Sequence, residues 1–150
     1  MNEKLNGRGK RREMNELNYA SLKASKRLVE AGIVLETEMQ RVHVKNGSWH
    51  LVPVDNKPVS DEIDIIIQAP SMAEVWRELP ESIESCQGSN LCLEKIVRDD
   101  DWVMYTTASY DYEDADIGRC TYKFFSSENN PTDALIDLLI WVRKEERDES

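Results

Sequence analysis

One stretch constrains this chain more than any other: Asn130-Pro131-Thr132-Asp133 running into Ala134-Leu135-Ile136-Asp137-Leu138-Leu139-Ile140-Trp141-Val142. Asn130 is a helix cap, Pro131 suits the first helical position, and Asp133 puts an acid where the helix dipole favours one. Leu135, Leu138, Leu139 and Val142 recur at i, i+3, i+4 and i+7, so they share one face. Lys144 and Arg147 follow near the end, where positive charge is favoured. A helix this apolar demands a sheet or another helix to cover it.

Its apolar sector is wider than one sheet needs. At about 100° per residue, Ile136 and Ile140 lie beyond Leu139 and Trp141 widens the other edge. These three residues are the candidates for self-association, with a two-fold homodimer as the expected form. An element of the same chain is the competing way to cover them.

The chain is 150 residues long, enough for one domain with a real core. It has no run of 18 apolar residues to span a bilayer, and no apolar stretch follows the basic N-terminus as in a signal peptide. A cytoplasmic protein with no membrane partner is the simplest expectation. The charge is uneven. Residues 1–27 hold eight Lys/Arg against three Glu, and the remainder holds eleven against twenty-six acids. Residues 1–14 read as a flexible basic leader, and 15–150 as the folded domain. Within the leader, Arg8, Lys10, Arg11 and Arg12 are the candidate nucleic-acid contacts, because phosphates attract such a cluster and an acidic body repels them.

Elsewhere the pattern alternates between helix and strand. A helix is expected over about 19–31, capped by Asn18, with Leu22, Ser25, Leu28 and Val29 inward and Gly32-Ile33 closing it. Gln40 to Val44 and Trp49 to Val54 form a hairpin, for which Asn46-Gly47 signals a two-residue turn. Val42 and Val44 share one pleat face and His43 takes the other. Ile63 to Ile67 reads as a short strand. Ser71 and Glu74 make a capping box for a helix with Met72, Val75, Trp76 and Leu79 inward, which Pro80 ends. Leu91–Val97, Trp102–Tyr110 and Cys120–Phe125 form a meander. With Asp99-Asp100 as the turn, Val97 faces Trp102, Lys95 faces Met104 and Leu93 faces Thr106, whereas a three-residue Asp99-Asp100-Asp101 loop shifts the pairing by one. The fold class is α+β, a mainly antiparallel sheet built of hairpin and meander, with three helices on one face.

The chemistry-bearing residues form no recognisable catalytic or metal pattern. Cys86, Cys92 and Cys120 are odd in number and lack a C-x-x-C pair, so buried free thiols are expected. His43 and His50 read as surface residues with no orienting acid near them in sequence. Asp111, Glu113, Asp114 and Asp116 precede Gly118, but the glycine falls at the wrong position for a calcium loop. A Gly-rich phosphate loop, G-x-S-x-G and H-E-x-x-H are all missing from the sequence. Trp102, Tyr105, Tyr110, Tyr112, Tyr122 and Phe124 lie on strands among acids, which favours cross-strand packing over base stacking. No cofactor, no metal and no catalytic residue is expected.

Three fragments carry a resemblance: Ser21-Leu22-Lys23-Ala24 through Ala31-Gly32-Ile33, Ala69-Pro70-Ser71-Met72-Ala73-Glu74-Val75-Trp76, and Asn130-Pro131-Thr132-Asp133-Ala134-Leu135. In this order the chain resembles small uncharacterised proteins encoded by phages and prophages of gut bacteria. The resemblance implies a mobile-element origin and a bacterial cytoplasm, and brings no functional residues with it. The expected function is a non-enzymatic accessory role, in which the acidic body binds a host protein. The alternative is a nucleic-acid-binding factor that uses the leader.

Deleting residues 1–13, which lack apolar periodicity, should move the melting temperature by less than about 2 °C. A larger drop in a thermal scan would show that the leader packs onto the domain.

Overall fold

The computed structural model describes residues 18–56, 62–97, 103–127 and 130–149. The α+β expectation holds, as does the antiparallel pairing, but the strands belong to two sheets. The chain divides into two compact units, one ending at Glu74 and the other beginning at Val75.

The first unit begins with α1 (Leu22–Glu30). Ser21 caps it, its hydroxyl accepting from the Ala24 amide at 3.1 Å. Asn18 is therefore not the cap. The backbone of 18–20 is already engaged: Ala20 N–H donates to the Pro70 carbonyl at 2.9 Å, and the Asn18 carbonyl accepts from Met72 at 2.8 Å. The helix closes as expected. Gly32 takes φ +73°, its N–H bonds the Val29 carbonyl, and the Ile33 N–H bonds the Leu28 carbonyl. Ala24, Ser25 and Leu28 are buried, whereas Val29 points to solvent.

β1 (Met39–Val44) lies between β2 (Trp49–Pro53) and β3 (Ile63–Gln68), antiparallel to both. The β1–β2 turn differs from the sequence reading. Val44 pairs with Ser48, and the Gly47 N–H bonds the Val44 carbonyl at 2.8 Å, so the loop has three residues with Gly47 left-handed at φ +99°. A type I turn with a glycine bulge replaces the two-residue turn. Helix α1 packs on β3. Among the described residues, Ala20, Ala24, Leu28, Ile33, Leu35, Val42, Ile67 and Ala69 are buried apolar side chains of this unit.

α2 (Met72–Glu78) runs across the division. Its capping box is present in both directions: Ser71 Oγ accepts from Glu74 N at 3.1 Å, and Glu74 Oε1 accepts from Ser71 N at 2.7 Å. The second Glu74 oxygen takes the Glu38 amide at 3.0 Å. Both oxygens of this buried carboxylate are thus satisfied. Val75 and Leu79 are buried a turn apart, while Trp76, expected inward, is exposed.

The second unit is the meander, β4 (Asn90–Val97), β5 (Met104–Asp114) and β6 (Gly118–Ser127), covered by α3 (Pro131–Glu149) on β5 and β6. Asn130 caps α3, its Oδ1 accepting from Thr132 N at 2.9 Å. Pro131 is the first helical residue, as expected. The β4–β5 register is two residues off the sequence reading: Val97 pairs with Met104, Lys95 with Thr106 and Leu93 with Ala108. An even shift preserves faces, so the assignment of sides survives. The buried part is Thr106, Ala108 and Tyr110, whereas Val97 and Met104 reach solvent. Tyr110 is fully buried and its hydroxyl donates to the Pro80 carbonyl at 2.7 Å. Burial, then the charge of Glu146, pushes its ionisation far above the ordinary range.

Ile136 is as fully buried as Leu135, Leu138 and Leu139. The expectation that Ile136 faces a second copy is corrected: the chain covers it unaided. Ile140 and Trp141 are half-buried. Among the described residues no helix is long and apolar enough to cross a membrane.

Leu138→Ala should cost about 2–5 kcal/mol in chemical denaturation, as expected for a buried leucine. Ile136→Glu should unfold the chain rather than dissociate a dimer, because it buries an unpaired charge. Circular dichroism and light scattering on the same sample distinguish the two outcomes.

Candidate functional site

Strand β1 places His43 between its hairpin neighbour Trp49 and Asp64, which is distant in sequence. The β1–β3 register slips between His43 and Val44: His43 pairs with Ile65 and Val44 with Ile63. Asp64 is the extra residue, and a bulge of this kind re-aims a side chain. Its Oδ1 lies 2.6 Å from His43 Nδ1. The hydrogen bond from His43 is the largest influence on Asp64 and holds its carboxyl below the usual aspartate range. On the other side the His43 and Trp49 rings lie 4.9 Å apart and tilted by 51°. Lys26 Nζ sits 5.3 Å from the Trp49 ring centre. The sequence reading found no orienting acid for His43, and Asp64 corrects it. The signal was hidden because it depends on a strand pairing across 21 positions and on a bulge.

His50 is separate. It pairs with Val42 across β1–β2, one position from His43 and hence on the opposite pleat face. Its Nε2 lies 3.0 Å from Ser48 Oγ, which also contacts Asn46 Oδ1 at 2.7 Å. The two histidines therefore do not form a pair. An aspartate-oriented imidazole is suited to proton transfer. Yet neither cavity described below includes His43 or Asp64 in its lining.

Two clefts of the second unit are lined by described residues. The larger is a groove of about 430 Å³ lined by Pro80, Ile83, Glu84, Trp141, Val142, Glu145 and Glu146 among others. Trp141 meets Tyr122 at 6.2 Å between ring centres and has Lys123 Nζ at 5.6 Å. The candidate self-association residue Trp141 is thus partly engaged within its own unit and forms an apolar wall beside three carboxylates.

The smaller cleft, about 350 Å³, lies on the meander face that carries Glu94, Ile96, Thr107, Ser109, Asp111, Arg119, Thr121 and Phe124. A second bulge builds it. Tyr110 pairs with Lys123 but Asp111 with Thr121, so Tyr122 is the extra residue of β6. The slip brings Phe124 opposite Ser109, on the same face as Thr121 opposite Asp111. Phe124 and Tyr122, read from sequence as packing residues, are exposed. Asp111 is 5% exposed. Arg119 Nε donates to its Oδ2 at 2.7 Å, and the same guanidinium contacts Glu94. Burial alone would raise the Asp111 carboxyl, but Arg119 and the Ser109 and Thr121 hydroxyls outweigh it and the net shift is downward. Its Oδ1 is buried with no hydrogen-bond partner, as is Thr107 Oγ1.

The acids expected in a loop at 111–118 fall mostly on a strand. Asp111, Glu113 and Asp114 belong to β5, and Asp114 Oδ1 accepts from the Asp116 and Ile117 amides at 2.9 and 3.0 Å, closing the turn. Cys86, Cys92 and Cys120 are free thiols, half-buried rather than buried. Arg8, Lys10, Arg11 and Arg12 lie outside the described residues, as do Asp99-Asp100 and Trp102.

No protein-family model, curated protein or solved structure matches this chain.

The Asp64 carboxyl should titrate below 3.8, the ordinary value, and return towards it in His43→Phe, as followed by NMR of the side-chain carbon. The sign follows from linkage: a lowered folded pKa stabilises above the unfolded value, and that contribution is lost as pH falls through the folded pKa. An unchanged midpoint in the variant would disprove the contact.

Proposed function

We propose that this chain is a non-enzymatic accessory protein of a bacterial mobile element that binds a basic surface of a host protein through its acidic second unit. The observation that carries this reading is the Trp141 groove. Ile83, Pro80, Trp141 and Val142 offer apolar surface, and Glu84, Glu145 and Glu146 surround it with negative charge. An arginine or lysine from a partner gains there twice: its stem packs on the apolar wall, and its charge meets carboxylates and an aromatic face. Lys123, already placed over the Trp141 ring, is an example of that affinity within the chain. The overall formal charge of −10 adds long-range attraction to basic partners and repulsion from nucleic acid.

The basic character of residues 1–27 supports a second reading, in which the leader contacts nucleic acid.

The test is a pull-down from a bacterial host lysate, read by mass spectrometry, with the wild type and Glu145→Lys/Glu146→Lys as baits. The expected result is a basic protein retained by the wild type at physiological salt and lost from the variant, whose thermal melt stays unchanged. Equal retention by both baits would rule out the groove. Oligonucleotide binding that weakens steeply with salt would transfer the function to the leader.

A further inference from the structure

The first unit holds a nitrogen lone pair that the protein-binding reading does not use. His43 Nδ1 lies 2.6 Å from Asp64 Oδ1. A contact this short needs a proton between the two atoms, and Asp64 is held ionised, so Nδ1 carries it. In the neutral ring the lone pair is then on Nε2. Among the described residues Nε2 has no hydrogen-bond partner. The ring is held on its other side by Trp49, its cross-strand neighbour. The His43 and Asp64 side chains stay 21% and 41% exposed, so a small molecule reaches the pair from solvent.

The surroundings select the chemistry. A hydrolytic site needs a pocket to hold its substrate, and His43 lines neither of the clefts described above. A nucleophile that takes a group from a donor needs only an exposed lone pair and charges that match the group. Lys26 Nζ sits 5.3 Å from the Trp49 ring centre, and Lys45 is close enough to Asp64 to lower its carboxyl further. Both lysines are exposed. Two ammonium groups against one carboxylate suit a phosphoryl group, which carries about two negative charges at neutral pH. An acetyl or alkyl group would leave them without a counter-charge.

We infer that His43 Nε2 accepts a phosphoryl group from a small donor with a nitrogen leaving group. The Nε2 lone pair forms the new N–P bond as the donor's own P–N bond breaks. The electron pair of that bond leaves with the amine, which takes a proton from water. Positive charge grows on the imidazole during the attack. Nδ1 keeps its proton, and Asp64 stabilises that charge, as a carboxylate does behind a working histidine. Asp64 is therefore a positioning residue. Lys26 and Lys45 balance the transferred phosphoryl group, and nothing is oxidised or reduced. His50 has a different setting, with its Nε2 3.0 Å from Ser48 Oγ. The inference stands apart from the protein-binding reading, which rests on a groove of the second unit.

The test is phosphorus NMR of the full chain incubated with potassium phosphoramidate. The expected result is one phosphohistidine signal, of the Nε2-linked isomer, that disappears in His43→Gln and persists in His50→Gln. Asp64→Ala should slow the reaction at least about tenfold, the loss of one charge-assisted hydrogen bond. It should also let the Nδ1-linked isomer appear, because Nδ1 is freed; a merely structural Asp64 would leave the isomer unchanged. Lys26→Ala/Lys45→Ala should slow the reaction about threefold, with an unchanged circular dichroism spectrum. Equal rates at His43 and His50, an Nδ1-linked product in the wild type, or an Asp64→Ala rate equal to that of the wild type would each overturn the assignment.

Discussion

The second unit depends on the burial of α3 against β5 and β6. Leu135, Ile136, Leu138 and Leu139 are withdrawn from water completely, and Tyr110 comes up from the sheet to meet the same interior. Both clefts of that unit take their shape from this contact. It fixes which side of the meander is inner, so the opposite side is left to carry Glu94, Asp111, Arg119 and Phe124. It also holds Trp141, one wall of the larger groove, beside Tyr122 and Lys123. The Tyr110 hydroxyl ties the sheet to Pro80 and with it the segment that forms the groove's other wall.

In both units a β-bulge constructs the polar cluster of interest. The slip between His43 and Val44 aims Asp64 at the imidazole. The slip at Tyr110 and Asp111 reverses the pleat of β6, which sends Phe124 to the outer face while Lys123 turns to Phe125 and Trp141. A regular ladder would have given each strand a single alternating pattern and neither cluster.

The acids of this chain do different work in different places. The Glu74 carboxylate is consumed by two backbone amides, that of Ser71 at the helix start and that of Glu38, and Asp114 closes a turn. Asp64 and Asp111 are held ionised by a histidine and an arginine respectively. Glu84, Glu145 and Glu146 surround an apolar groove and supply its field. Acidity counted over the sequence describes solubility and steering, while only position separates structural carboxylates from available ones.

The sequence by itself determined the local structure. Asn130-Pro131 began the last helix, Ser71 and Glu74 formed a capping box, Gly32 ended the first helix and Gly47 turned the hairpin, because each acts within a few residues of backbone. The apolar periodicity of 135–142 likewise marked the core. Only the tertiary structure decided the rest. Which strands pair, the two-residue offset of β4 on β5, and the bulges that join His43 to Asp64 and Asp111 to Thr121 all depend on contacts between distant segments. No local preference distinguishes those registers, since a strand's alternation is the same whichever even offset it takes. The coverage of Ile136 is of the same kind: helical spacing put it at the edge of the apolar face, and the folded chain turned that edge into core.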